Sequence, residues 1–289
     1  MDLPGDDVLC GIVRAYARMR ADHGEAIGAP LLVEPTGEFF PDRFDGDAAS
    51  VARLLRRMIA LAPIADDVEV SIAFVAPDEA RGAGGCGSLA CGSAPAGSAF
   101  ARHVEELGDG YRIFVSAADV GQPVLLTTSL ARSVGAIVLR EAGEDPDEAD
   151  EAASEIAATV CGFGVLVLNG AALWGKSCGG LRMAQATALT VEEAAVTVAL
   201  FLGVHGLKAA QVRRHLDTSQ QEALDLAVAW AESNPLLVET LRDHPSLLKK
   251  GTLEIEPLRG IVGRWLNKRR IERAMRLPAT STSRAKSPS

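Results

Sequence analysis

A chain of 289 residues with 48% hydrophobic content is long enough to bury a sizeable core. Its formal charge of -9 excludes general nucleic-acid binding, which needs clustered Lys and Arg against the phosphates. The N-terminus, MDLPGDDVL, is acidic where a secretory signal would be basic and then apolar, and the five cysteines are an odd number that suits reduced thiols or a metal site better than a disulfide framework. The expected compartment is the cytoplasm.

In chain order, Asp6 or Asp7 is placed to cap a first helix whose Val8, Ile12, Val13, Tyr16 and Met19 recur at helical spacing, ending near Gly24. Residues 31–33 read as a short strand. EPTGEFFPDRFDGDAAS has the Pro, Gly and Asp density of an ordered loop, with Phe39, Phe40 and Phe44 expected to anchor it to the core. Residues 48–62 form an amphipathic helix by spacing, and 68–75 (VEVSIAFV) alternates and then turns wholly apolar, as a strand does. Residues 80–97, rich in Gly, Ala, Ser and Cys, read as a loop, and 111–115 as another strand.

From Pro123 onward the pattern is helical. LLTTSLARSVGAIVLREAG and DEADEAASEIAATVCGFGVLVLN form a pair joined at Asp145-Pro146, followed by helices over 191–204, 208–215, 218–232 and 235–242. A last helix is expected over 258–276, and LPATSTSRAKSPS (277–289) has the composition of a disordered tail. The order predicts an α+β fold, with a small N-terminal sheet and flanking helices ahead of a mostly helical half. A single domain spans 1–276, divided into a helix and sheet part (1–122) and a helical part (123–276). Residues 156–175 are uncharged and long enough to span a bilayer, but Asn169, Thr159 and four glycines interrupt them and no basic flank precedes them. A buried core helix is expected there, not a transmembrane segment.

The run LTTSLARSVGAIVL resembles the active-site helix of zincin metallopeptidases, in which H-E-x-x-H sets two ligand histidines one turn apart beside a general-base Glu. Arg132, Ser133 and Ala136 occupy the matching positions. Glu151 and Glu155, nineteen residues after Arg132 and one turn further on, resemble the E-x-x-x-D of the same class. With EPTGEFFPDRFDG and CGFGVLVLNG, the chain is similar to a group of bacterial zincin-like proteins over much of its length. The resemblance implies a zincin-like core, a third metal ligand at Glu151 and an acid at Glu155 that would support a ligand histidine. It also implies that the catalytic residues are gone.

Catalytic zinc needs about three protein ligands and an open position for water; of that set only Glu151 remains, and an arginine at the first position repels a cation. The expectation is a pseudo-active site in which the Arg132 guanidinium replaces the metal's charge and pairs with Glu151, Glu155 or both, because a Glu in the apolar run SEIAATVCGFG is costly unless paired. For Glu151 a solvated acidic face with Asp147, Glu148 and Asp150 is an equal alternative. Ser133 has no base near it in sequence and is not expected to act as a nucleophile.

Two other patterns bear on chemistry. Residues 170–177, GAALWGKS, satisfy the phosphate-cradling pattern G-x-x-x-x-G-K-[ST] through Gly170, Gly175, Lys176 and Ser177, which gives a nucleotide-binding alternative. The context opposes it, since Cys178-Gly179-Gly180 follows where a helix should begin. Cys86, Cys91 and Cys178 could together offer three sulfurs to zinc, which would give a metal-dependent hydrolase with a displaced site. His205 and His215 are not spaced as paired ligands, and His23, His103 and His244 sit in polar settings.

The basic run RWLNKRRIERAMRL suits peripheral contact of 264–276 with an anionic membrane or an acidic partner, or a docked helix with a solvated face. The preferred reading is an inactive zincin-like protein that binds an unidentified protein partner or acts as a scaffold. No cofactor is expected beyond zinc at the cysteines.

Overall fold

The computed structural model describes residues 2–28, 30–75, 104–108, 110–144, 151–177, 180–250, 253 and 255–258. Helix α1 (Asp6–Ile27) starts with Asp6 and Asp7 in its first turn, where carboxylates offset the helix dipole. Its core face is Leu9, Ile12, Val13, Tyr16, Ala17 and Met19, while Val8, expected on that face, is exposed. Helix α2 (Ala48–Leu61) opens on a reciprocal cap: Asp47 accepts the Ser50 N–H at 2.8 Å and the Ser50 hydroxyl accepts the Asp47 N–H. Phe39 and Phe40 pack against the core as expected, whereas Phe44 is exposed.

A three-stranded sheet runs in the order β1-β3-β2, built from β1 (Glu69–Val75), β2 (Val104–Leu107) and β3 (Gly110–Ser116). β3 is central, parallel to β1 with Ile72 opposite Ile113, and antiparallel to β2 with Val104 opposite Ile113. Its Tyr111, Ile113 and Val115 are buried, and this face receives helix α3 (Pro123–Glu141). Proline at the first turn of α3 costs no hydrogen bond, because that N–H has no intrahelical partner.

The partner of α3 is a broken helix, made of α4 (Glu151–Ala158), a π-helical turn (Thr159–Phe163) and α5 (Gly164–Ala171). The break falls at Gly162, whose φ of 100° suits glycine alone, and a Cβ there would lie 1.9 Å from the Leu31 carbonyl oxygen. Residues 31–33 accordingly form no strand; the Val33 N–H donates to the Gly162 carbonyl at 2.9 Å and the segment lies across the kink.

Helices α3 and α4 meet at Gly135, where an added Cβ would stand 2.0 Å from the Ser154 carbonyl oxygen. Gly135→Ala is therefore expected to cost about 1–3 kcal/mol through overpacking against rigid backbone. Urea unfolding measures it, and an unchanged midpoint would show that the two backbones do not meet there.

The helical pattern expected from Pro123 onward is interrupted by a hairpin of β4 (Leu173–Ser177) and β5 (Gly180–Ala184), with Trp174 opposite Met183. The run is too short and glycine-rich to show a strand period. Helix α6 (Val191–His205) follows, capped by Thr190 and Glu193 and ended by Gly206 in the left-handed conformation at φ 66°. It is buried on nearly all sides between α1, α5, α8 (Thr218–Ser233) and α9 (Pro235–Asp243), and the short α7 (Ala209–Arg213) leads from it into α8. A 3₁₀ turn (Pro245–Leu248) then packs on α1.

The architecture is mixed α+β. Among the described residues two helices, Pro123–Glu141 and Glu151–Ala171, are by length and composition long and apolar enough to cross a membrane, and 78% of the apolar window in the second lies inside the protein. The loop expected over 80–97, the helix over 258–276 and the tail over 277–289 fall outside the described residues, Leu258 excepted.

Candidate functional site

Arg132 sits mid-way along α3 and Glu155 in the second turn of α4, on facing sides of the close Gly135 contact. Arg132 Nε lies 2.7 Å from Glu155 Oε1, and the side chains are 6% and 0% exposed, so the pair is shut away from any substrate. The opposite charges satisfy each other in a setting where either alone would be costly.

Both side chains also bond to one segment of backbone, the lead-in to α6. Glu155 Oε1 accepts the Ala188 N–H at 2.7 Å and Oε2 accepts the Leu189 N–H at 2.9 Å. Arg132 Nη1 donates to the Ala186 carbonyl at 3.3 Å. Within the same segment the Thr187 hydroxyl and the Gln185 amide both donate to the Leu189 carbonyl. The ion pair thus pins residues 186–189, and with them Thr190, which caps α6.

Burial pushes the Glu155 carboxyl above its ordinary value. Arg132 pulls the other way, as do the Leu189 and Ala188 N–H groups, while Glu151 adds to the rise. The expectation that Glu155 is paired with Arg132 is met. Glu151 is half-buried at the start of α4, near enough to bear on the Glu155 carboxyl. Ser133 is buried, with no hydrogen-bond partner for its hydroxyl, and Ala136 is half-buried.

These residues do not fit zinc. Arg132 is a cation with no lone pair to give, Ala136 carries no donor, and the Glu155 oxygens are already engaged. Among the described residues no three His, Cys, Asp or Glu side chains converge as a metal site. Cys86, Cys91 and Cys178 lie outside the described residues.

The phosphate-loop pattern lands on different structure from the one it needs. Gly170 ends α5 against Thr128, where an added Cβ would stand 2.3 Å from the threonine methyl. Gly175, Lys176 and Ser177 lie in strand β4, with Ser177 opposite Gly180, so no helix N-terminus follows them to hold phosphates. VLVLN, which precedes the pattern, is helical.

Sequence reasoning passed over Glu34, in the EPTGEFF segment. Its carboxylate is buried, pairs with Arg214 just after α7, and has His215 Nε2 at 3.5 Å. A charged residue between Val33 and Pro35 was the available signal, and only the fold places it beside Arg214. The basic run 264–276 lies outside the described residues.

No protein-family model matches the chain, and it matches no curated protein and no solved structure.

Proposed function

We propose that the protein is a zincin-like metallopeptidase relative without catalytic zinc chemistry, acting in the cytoplasm as a binding or scaffold module for a protein partner. The observation that carries this reading is the Arg132–Glu155 pair, buried where the resemblance would place the first metal ligand and the supporting acid. An arginine supplies a fixed positive charge to the carboxylate and offers no lone pair to a metal or to water. Glu155 holds backbone instead of orienting a ligand.

The test is metal content together with peptidase activity. Full-length protein dialysed against zinc is expected to hold no zinc through Arg132, Ser133, Ala136, Glu151 and Glu155, and to leave unfolded casein intact. About one zinc per chain with zinc-dependent cleavage, persisting in Cys86→Ser/Cys91→Ser/Cys178→Ser, would overturn the reading. Zinc and cleavage lost in that variant would establish the displaced cysteine site instead. The strand conformation of Gly175, Lys176 and Ser177 leaves nucleotide binding without a cradle.

A further inference from the structure

A second polar cluster, sharing no residue with the Arg132–Glu155 pair, lies where α1 crosses the C-terminal end of α6. Tyr16 and Arg20 stand one turn apart on α1, and His205 ends α6. Tyr16 is fully buried, yet its hydroxyl has no hydrogen-bond partner. The Arg20 Nε and Nη1 groups are buried and likewise without partners, as is His205 Nε2. Among the described residues no carboxylate pairs with Arg20.

The surrounding acceptors are already occupied. Arg242 donates to the Val204 and Gly203 carbonyls at 2.7 Å each, and the Leu202 carbonyl takes the Leu207 N–H at 2.9 Å. The negative end of α6 is therefore spent, and Arg20 gains no hydrogen bond from it. Burial holds the His205 imidazole down at about 4, neutral in ordinary buffers, and two guanidiniums, Arg20 and Arg242, bear on it in the same direction. The ring is held by Phe201, at 4.6 Å between centroids.

Buried polar groups are nearly always satisfied, and buried N–H donors on a charged guanidinium are among the costlier exceptions. Arg20 bears electrostatically on both Tyr16 and His205 across the contact between α1 and α6, and three unsatisfied groups around one positive charge have the chemistry of an anion cradle. Arg20 brings charge and N–H donors, Tyr16 an O–H donor, and a neutral imidazole can donate or accept.

We propose that Tyr16, Arg20 and His205 form a binding site for a small oxyanion, a carboxylate or phosphate group, between α1 and the end of α6. Arg20 is only half-buried, which leaves a route for the anion. The site is independent of the pseudo-enzyme reading, because it uses neither α3 nor α4.

The experiment compares full-length wild type with Arg20→Met in inorganic phosphate, in acetate and in chloride at matched ionic strength. Wild type is expected to gain about 3 °C or more in Tm in saturating phosphate or acetate over chloride, and Arg20→Met to gain nothing. Whichever of phosphate and acetate gives the larger gain identifies the ligand class. In a parallel titration of wild type followed by histidine NMR, the bound anion draws the His205 pKa upward from about 4. This second readout decides the matter if Arg20→Met does not fold. Equal Tm values in all three salts, with a stationary His205, would mean that water alone fills the site and would overturn the proposal.

Discussion

Arg132→Ala is expected to lower the unfolding free energy by about 3–5 kcal/mol, because it leaves Glu155 charged, buried and without its counter-ion. The Ala188 and Leu189 N–H groups still reach the carboxylate but carry no full charge. The loss should depend on pH in a direction set by Glu155. With the guanidinium gone, the strongest influence lowering this carboxyl is removed, and its folded pKa rises further above the ordinary 4.5.

Between those two values the folded state binds more protons than the unfolded one, so stability falls as pH increases. The deficit of Arg132→Ala relative to wild type is therefore smaller near pH 5 than near pH 8. Chemical denaturation at the two pH values measures both quantities. Arg132→Met combined with Glu155→Gln should be less damaged than the sum of the single changes, since no charge is then stranded. A loss from Arg132→Ala below about 1 kcal/mol, the level of an exposed ion pair, would sink the claim that this pair is a structural strut.

The second large effect is a gain. Placing R132H, S133E and A136H together writes H-E-x-x-H onto α3, and Glu151 stands in the first turn of the helix that packs on it. In a background carrying Cys86→Ser, Cys91→Ser and Cys178→Ser, this variant is expected to bind about one zinc per chain, while the background alone binds none. Zinc is counted after dialysis, and circular dichroism verifies that the helices persist. Glu155→Asp, which completes E-x-x-x-D, is a second version with a shorter acid. If neither folded variant holds zinc above the background, α3 and α4 do not have the geometry of a zincin site, and the resemblance fails at its centre.

These expectations rest on features that were legible to different degrees. Acid at position 155 inside an apolar run already required a partner, and the resemblance pointed to Arg132 as that cation. What could not be read was the third party. Residues 186–189 hold the outer faces of both side chains, and they come from a connection that shows no periodic signal. Glu34 and Arg214 are a similar case, 180 positions apart and joined only by the fold.

Local chemistry in the sequence determined the long elements. The spacing of apolar residues set α1, α2, α3, α6 and α8 to within a few residues. Only the tertiary structure decided the rest, because the forces there are non-local. Gly162 breaks the second helix of the pair to let residues 31–33 pass, and GAALWGKS becomes helix end and strand in place of a phosphate loop. Arg132 and Glu155 close on one another because Gly135 lets two backbones touch, a contact that no window of sequence contains.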